Sequence, residues 1–329
     1  MTDCAIVAGF SIVRADHTDM NEATDQMTTG ARLADPAEVL DIAALRFAWG
    51  RVALYERLDL RLSAAGIYGL FGRNGSGKPT LLKLIAGLLT PAAGRIKALG
   101  YEPRQRAAGF LAEVYLLPEE FHLPNLTPRQ LLDNQAAFYP RFDAALYGEY
   151  LSELRVPAGQ RFADMSLGQK KKAAIAFALA AQTPLLLMDE PTNGLDIESR
   201  VQFRRLMTRP EQRARAVLIS THQAHDLESI LTHLWFIDQG RIVLDMSMPE
   251  IARRLSMGVA ASVAALPAAD RLLYQTPVGA QWAWIARAED AASDAPASAS
   301  VQLELLYQAI SLQPEAMLTA LGASGEKAP

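Results

Sequence analysis

The sequence predicts an α/β fold, in which buried parallel strands alternate with helices. Two apolar runs, residues 185–188 and 216–219, have the length and composition of strands that are buried on both faces. A third apolar segment ends at Phe71 and is followed by a glycine-rich turn and then by the apolar periodicity of a helix. Strand, turn and helix in this order are the repeating unit of a parallel sheet covered by helices.

The glycine-rich turn at residues 72–80 reads Gly-Arg-Asn-Gly-Ser-Gly-Lys-Pro-Thr. Glycines let the backbone approach a ligand closely and turn its N–H groups toward an anion. The following helix directs the positive end of its dipole to the same point, and Lys78 adds a full charge. We predict a phosphate-binding loop; the alternative is a glycine turn that only precedes an ordinary helix. The predicted phosphate-binding residues are Gly72, Asn74, Gly75, Ser76, Gly77, Lys78, Pro79 and Thr80.

Pro79 departs from the pattern G-x-x-x-x-G-K-[ST], since Ser or Thr is expected at its position. The missing hydroxyl normally ligates Mg²⁺, and proline also lacks the N–H that could bind a phosphate. Proline is well tolerated in the first turn of a helix. We therefore expect the fold to survive the substitution and the phosphate chemistry to be weakened.

Composition limits the classes of protein that the chain can represent. Its 329 residues, half of them hydrophobic, suffice for one large domain or two. The net charge of −4 gives no general attraction for nucleic acid, so we expect no nucleic-acid partner. One cysteine, Cys4, excludes an internal disulfide. No apolar run reaches the ~18 residues that span a bilayer, and no signal peptide is evident. If the protein works at a membrane, we expect a partner to hold it there.

We expect the chain to be divided into three regions. Residues 1–37 read as a disordered tail, and residues 38–250 as the main domain, with an all-helical insert at about 120–182. Residues 251–329 read as a small α+β accessory domain that contains a loop at 290–300. Strands are expected at 110–117 and, in the accessory domain, at 261–266. Trp49 stands before Gly50, where an aromatic ring either stacks on a purine or packs at a turn.

Four short motifs follow the glycine-rich turn. Ser166-Leu-Gly-Gln begins a helix whose next residues, 170–172, are lysines. We read the lysines as a solvated face, although a bound anion is the alternative. Asp189 and Glu190 end the buried strand at 185–188, where ligands of α/β sheets bind. Asn193-Gly-Leu-Asp follows the acidic pair, and His222 follows the next buried strand.

As a set, in this order and spacing, these motifs closely resemble the ATP-binding subunit of ABC transporters over about residues 38–250. The form Ser-Leu-Gly-Gln-Lys-Lys-Lys resembles a bacterial exporter-type subfamily. The resemblance implies a P-loop NTPase (RecA-like) core with an antiparallel β subdomain and the helical insert. It also implies a cytoplasmic ATPase, peripheral at the inner face of the membrane, that closes as a dimer on two ATP molecules. Its implied partners are an integral-membrane transporter subunit and a second ATP-binding subunit.

The resemblance also implies roles for individual residues. Trp49 would stack on adenine, Glu190 would polarise the attacking water, and His222 would contact the γ-phosphate. Ser166 and Gly168 would bind the γ-phosphate held by the second subunit. Further nucleotide-binding residues are Gln169 and Asp196, and the metal-binding residues, for Mg²⁺, are Asp189, Thr80 and Glu119.

Two more departures from the family pattern qualify these roles. Leu167 stands where the family usually has Gly, and Glu119 where it usually has the Gln that helps to bind Mg²⁺. Because a carboxylate attracts Mg²⁺ more strongly than an amide does, we hypothesise that Glu119 partly compensates for Pro79.

Two other functions remain open at this stage. One is an ATP-binding regulatory or degenerate-site subunit that hydrolyses weakly and pairs with an intact partner, which Pro79 favours. The other is an ABC ATPase that acts on ribosomes or DNA. Proteins of that kind usually have two cassettes or a long coiled coil, and neither is evident here.

Overall fold

A computed structural model describes residues 39–288 and 301–322. The tail predicted at residues 1–37 and the loop predicted at 290–300 lie outside the described residues. Within the described ranges, no helix is both long enough and apolar enough to span a bilayer.

The centre of the fold is a six-stranded sheet. Its spatial order is β5 (Val114–Leu117), β6 (Leu185–Asp189), β7 (Ala216–Ser220), β3 (Gly66–Gly72), β8 (His233–Asp238) and β9 (Arg241–Ser247). The first five strands run parallel, and β9 pairs antiparallel with β8. Strands β3, β5, β6 and β7 are buried along their whole length, which explains their continuous apolar runs. Their carboxyl ends meet at one edge of the sheet.

A second sheet, antiparallel, covers one side of this core. Its order is β2 (Val52–Leu62), β1 (Leu40–Trp49) and β4 (Ala93–Ala98). The alternating residues of β2 place Leu58, Leu60 and Leu62 inward, where they join a cluster with the apolar face of α1 (Lys78–Ile85). This packing fixes the helix that begins at the glycine-rich turn against both sheets.

The described residues between β5 and β6 contain helices and no strand. The helices are α3 (Pro128–Gln135), α4 (Ala144–Glu153) and α5 (Leu167–Ala180). Thr127 caps α3 with a capping box, and Asp143 caps α4 through the backbone N–H groups of Ala145 and Leu146. Phe177 on α5 lies at the centre of an aromatic cluster with Tyr115, Tyr139, Phe142 and Tyr147. The cluster joins the insert to β5.

The strand expected at residues 110–117 is wrong in its first half. Helix α2 (Ala108–Glu113) occupies that part, and only Val114–Leu117 form a strand. Phe110 is fully buried against the core cluster, while the alanines and the glutamate of α2 favour a helix. The apolar run therefore combines one helical turn with a strand.

Two helices, α6 (Ile197–Met207) and α7 (Pro210–Arg213), complete the part that precedes β7. Beyond β9 follow α8 (Met248–Arg254), β10 (Leu255–Ala260), β11 (Leu272–Val278), β12 (Gln281–Arg287), α9 (Leu303–Leu312) and α10 (Pro314–Ala320). The three strands form a sheet of order β10-β12-β11.

The strand expected at residues 261–266 is wrong, since the chain there forms a 3-10 turn at Val263–Ala265. The strand lies earlier, at β10, because the antiparallel partner β12 pairs with residues 255–260. Side chains of α9 and β12 belong to the same hydrophobic cluster as the helical insert, and Tyr307 contacts the ring of Phe236. The described part after residue 250 therefore shares its core with the central sheet.

Candidate active site

The turn between β3 and α1 is packed tightly against its neighbours at both ends. A Cβ atom at Gly72 would lie 2.3 Å from the carbonyl oxygen of Ile237, and one at Gly77 would lie 2.5 Å from Oη of Tyr55. Gly77 also has a φ of +98°, in the left-handed region that favours glycine. Both contacts exclude a side chain, so glycine is required at each end of the motif.

Lys78 folds back over this turn. Its Nζ donates hydrogen bonds to the carbonyl oxygens of Gly72 at 2.7 Å and Arg73 at 3.3 Å. Burial lowers the pKa of Lys78, and the carboxylates of Glu190 and Asp189 oppose that shift. The charge on Lys78 is therefore close enough to the acidic pair to interact with it.

Ser76 shows that the turn suits an anion. Its Oγ is buried and has no hydrogen-bond partner within residues 39–288 and 301–322. Because a buried hydroxyl without a partner is unfavourable, this group is suited to bind an acceptor such as a phosphate oxygen. Thr80 is also buried, whereas Pro79 beside it is exposed and offers neither a hydroxyl nor an N–H.

Asp189 ends β6 at the same edge of the sheet. The hydroxyl of Ser220, its neighbour on β7, donates a hydrogen bond to Oδ1 of Asp189. Burial raises the pKa of Asp189, the Ser220 hydrogen bond lowers it, and the carboxylates of Glu190 and Glu119 raise it further. The carboxylate is thus incompletely stabilised by the protein, which fits a site that receives a cation.

Glu190 follows in a strained backbone conformation, with a φ of +45°. Its Oε2 accepts a hydrogen bond from the Thr221 hydroxyl at 2.9 Å. Its Oε1 lies 2.9 Å from the backbone nitrogen of His222, which donates to it, and 2.8 Å from Nδ1 of the same residue. The carboxylate is therefore fixed by two consecutive residues after β7, while the His222 side chain remains 44% exposed.

Lys171 is not part of a solvated face, so the expectation for that lysine is wrong. It is only 7% exposed, and its Nζ donates hydrogen bonds to the carbonyl oxygens of Glu190 at 2.9 Å and Glu119 at 3.3 Å. Lys170 and Lys172 are partly exposed. Three consecutive residues of a helix point in different directions, so one of them faces the sheet edge.

Glu119 lies just after β5, the strand beside β6. Its Oε1 accepts a hydrogen bond of 2.6 Å from the Asn193 amide. Among the described residues, no group of three His, Cys, Asp or Glu side chains is arranged to hold a metal ion. The Mg²⁺ assignment to Asp189, Thr80 and Glu119 therefore stays a prediction.

The sequence comparisons identify the family. A family model described as ABC transporter matches residues 55–193. Nod factor export ATP-binding protein I of Cupriavidus pinatubonensis is 31% identical over 229 residues, which cover 65% of this chain and 69% of that protein. The chain belongs to the ABC transporter ATP-binding proteins. This family consists of ATP-hydrolysing proteins, so the chain is an ABC-type ATPase.

Solved structures agree with this family. The ATP-binding subunit of an ABC transporter superposes with a TM-score of 0.59 at 26% identity, covering 65% of this chain and 92% of that one. A dimeric ATP-binding cassette in a post-hydrolysis state, bound to ADP and Pi, superposes with a TM-score of 0.56 at 19% identity. The superposition covers 63% of this chain and 98% of that one. They confirm the predicted P-loop NTPase fold. The comparisons do not specify an exporter subtype, and they give no support to a degenerate-site subunit.

Other predicted residues of this ABC ATPase lie on separate elements. Trp49 ends β1, is 54% exposed, and packs edge-on against Phe47. Ser166 caps α5 in a capping box with Gln169, and Leu167 is 84% exposed. Asp196 caps α6 by accepting a hydrogen bond from the backbone N–H of Ser199 at 2.7 Å. Ligand roles for these residues stay predictions.

Four residues contribute to the site without having been predicted from the sequence: Tyr55, Lys171, Ser220 and Thr221. A signal existed for Ser220 and Thr221, because polar residues end a buried strand immediately before His222. The register that pairs Asp189 with Ser220 is what brings the two strand ends together. No signal in the sequence indicated Tyr55, whose phenolic oxygen donates to the carbonyl oxygen of Gly77 at 2.6 Å from an antiparallel strand.

Proposed function

We propose that this ABC ATPase drives a membrane transporter, and that two ATP-binding subunits close on two ATP molecules. The observation that carries the proposal is the arrangement at the sheet edge. The glycine-rich turn with Lys78 faces an acidic pair whose second member is fixed by Thr221 and His222. Phosphoryl transfer depends on charge stabilisation and positioning, and this arrangement provides groups for both.

The roles follow from the contacts. Lys78 and the N–H groups of the turn bind the phosphates, with Ser76 Oγ as a further donor. Glu190 orients and polarises the attacking water, because its carboxylate is held by Thr221 and His222 at the end of a rigid strand. The exposed ring of Trp49 stacks on the adenine.

The residues at the sheet edge also suit Mg²⁺. We propose that Asp189, Thr80 and Glu119 hold the ion, which would neutralise phosphate charge. The raised pKa of the Asp189 carboxyl, caused first by burial, supports this, since a nearby cation stabilises a buried carboxylate. Hard oxygen ligands are those that Mg²⁺ prefers.

The surface around Ser166 supports a second subunit. The position of a Cβ on Gly168 lies 3.7 Å from the carbonyl oxygen of Gly194, so the start of α5 adjoins the loop before α6. Leu167 and Ile197, which follow the caps of these two helices, are 84% and 83% exposed. Apolar side chains beside two helix N-termini fit an interface that also contains an anion. The dimeric state of one structural relative is consistent with a pair of subunits.

The membrane partner and the location are proposed from the family. ATP-binding subunits of ABC transporters work with membrane subunits, and this chain has no spanning helix within its described residues. We propose a peripheral position at the cytoplasmic face, with the helical insert and the segment after β5 touching the membrane subunit. The exposed Phe138 of the insert, 63% accessible, suits such a contact.

The decisive experiment compares the purified chain with its Glu190→Gln variant. We expect Mg²⁺-dependent ATP hydrolysis by the wild type and a loss of roughly 10²–10³-fold in the variant, the scale found for one electrostatic group. ATP binding should persist in the variant, and ATP should stabilise its dimer. The exposed Glu315 provides the control Glu315→Gln, which should hydrolyse at the wild-type rate. An absence of ATP hydrolysis by the wild type, alone and with its membrane partner, contradicts the proposal.

A further inference from the structure

The ammonium of Lys171 joins three parts of the site. Lys171 lies on the second turn of α5, five residues after the cap Ser166. Its Nζ reaches the carbonyl oxygen of Glu190, at the end of β6, and that of Glu119, after β5. The hydrogen bonds span 19 and 52 residues of sequence. Both acceptors are backbone carbonyls. The buried ammonium therefore holds the backbone at Glu119 and the backbone at Glu190 in place relative to α5.

The backbone of Glu190 depends on such contacts. Its φ of +45° is unfavourable for a residue with a side chain, so surrounding groups must maintain it. Its N–H donates to the carbonyl oxygen of Ser220 at 2.9 Å, and its own carbonyl accepts from the N–H of Asn193 at 3.2 Å and from Lys171. The Lys171 bond is the shortest of those accepted by this carbonyl, and it carries a charge, which makes it the stronger kind.

The charge of Lys171 is also surrounded by acids. Burial is the main effect on the pKa of Lys171 and lowers it, while the carboxylates of Glu119, Asp189 and Glu190 raise it. The carboxylates of Glu190 and Asp189 also raise the pKa of Lys78, which lies at the end of the glycine-rich turn. The acidic pair therefore interacts with two buried lysines, of which only Lys78 belongs to the phosphate-binding motif.

We propose that Lys171 is a positioning residue for hydrolysis, which holds the backbone of Glu190 so that its carboxylate faces the attacking water. Because Lys171 is on the helix that begins at Ser166, its hydrogen bond also connects Glu190 to the helix whose end is proposed to meet the second subunit. This inference rests on the proposed function, in which Glu190 acts on water and Ser166 meets the second nucleotide.

The test is Lys171→Met, which retains the apolar stem and removes the donors and the charge. We expect kcat for ATP hydrolysis to fall about 10- to 100-fold, since small misplacements of catalytic groups have effects of this size. The KM for ATP and the ATP-dependent dimer should change less than about twofold, because the hydrogen bonds of Lys171 go to the carbonyls of Glu190 and Glu119 and not to the phosphate-binding turn. Lys170→Met and Lys172→Met, on the same helix, are the matched controls and should retain wild-type kcat.

A second comparison separates positioning from a general loss of stability. In the Glu190→Gln background, Lys171→Met should lower the residual rate less than about twofold, because residues that act through one group are not additive. If the Met variant does not unfold cooperatively, Lys171→Gln replaces it, since glutamine is uncharged and one bond too short to reach the same carbonyls.

The outcomes distinguish the inference from the function on which it rests. If the wild type did not hydrolyse ATP, alone or with its membrane partner, the proposed function would be contradicted. A wild type that hydrolyses ATP, together with a folded Lys171 variant of unchanged kcat, would overturn the inference alone. The inference would also be overturned if Lys171→Met lowered the hydrolysis rate equally in the wild type and in the Glu190→Gln background.

Discussion

His222 contacts one oxygen of Glu190 twice, through its backbone nitrogen at 2.9 Å and its ring Nδ1 at 2.8 Å from Oε1. The side chain of Glu190 therefore has little rotational freedom, and the backbone bond persists whatever residue occupies position 222. With Nδ1 directed at Glu190, the remaining ring nitrogen is the one available to a phosphate. The pair thus links the proposed water-activating group to the proposed γ-phosphate contact.

Thr221 is expected to affect hydrolysis more than binding. Its hydroxyl donates to Oε2 of Glu190 at 2.9 Å, so Thr221→Val leaves a buried carboxylate oxygen without that donor. We expect kcat to fall about tenfold, with the KM for ATP nearly unchanged. Steady-state ATPase assays check this. Thr208→Val is the control, because the Thr208 hydroxyl binds the Arg205 carbonyl on the exposed end of α6; equal losses in both variants would contradict the role.

Tyr55 is expected to stabilise the glycine-rich turn. Its hydroxyl donates to the Gly77 carbonyl at 2.6 Å and is otherwise buried in the core. Tyr55→Phe should lower the free energy of unfolding by about 1 kcal/mol, the usual net value of a hydrogen bond, and weaken ATP binding. Denaturant unfolding and a binding titration measure both effects. Tyr101→Phe, which removes a hydroxyl beside Gly109, should leave ATP affinity unchanged.

Pro79 is expected to limit hydrolysis. Pro79→Ser restores a hydroxyl and an N–H in the first turn of α1, and we expect Mg²⁺-dependent ATP hydrolysis to rise about 10- to 100-fold. The free energy of unfolding should fall slightly, since proline is favourable at that position. Pro128→Ser, in the first turn of α3, is the control for the change of residue type. A rate equal to that of the wild type would show that position 79 does not limit the reaction.

Glu119 is expected to compensate for Pro79. Glu119→Gln retains an oxygen that can accept from Asn193 but removes the charge, so Mg²⁺-dependent ATP binding should weaken. The loss should be smaller in the Pro79→Ser background, where the hydroxyl is restored. Titrations of Mg²⁺ at fixed ATP in all four combinations measure this coupling, and equal losses in both backgrounds would argue against compensation.

Glu228 is expected to make the free energy of unfolding depend weakly on pH in the acid range. Burial is the main cause of its raised pKa, while His225 and the backbone N–H of Leu303, at the start of α9, lower it. Because the folded pKa lies above the unfolded one, the folded chain binds more protons in that interval. The free energy of unfolding should therefore fall as pH rises from 4.5, the ordinary pKa of a glutamate, through the raised pKa of the folded state.

The variant Glu228→Gln should remove this slope while leaving the hydrogen-bond acceptor for Leu303. Thermal unfolding of the variant and the wild type across this pH range measures the difference. The exposed Glu315→Gln variant should keep the wild-type pH dependence. A slope of opposite sign in the wild type would contradict the assignment to Glu228.

The sequence by itself determined the family, the alternation of strands and helices, and the residues of the motifs. Those features are local: glycine spacing, an apolar run on a strand and a capping residue act through near neighbours. It could not separate α2 from β5, because a short apolar run satisfies either structure until a partner strand is known.

Only the tertiary structure decided which groups surround the acidic pair. Lys171 is one of three consecutive lysines in the sequence, and its burial follows from the packing of α5 beside β5 and β6. Tyr55 reaches Gly77 from another sheet, and Thr221 reaches Glu190 because β6 and β7 pair in one register. These contacts join residues 19 to 52 positions apart, and no local pattern encodes such distances.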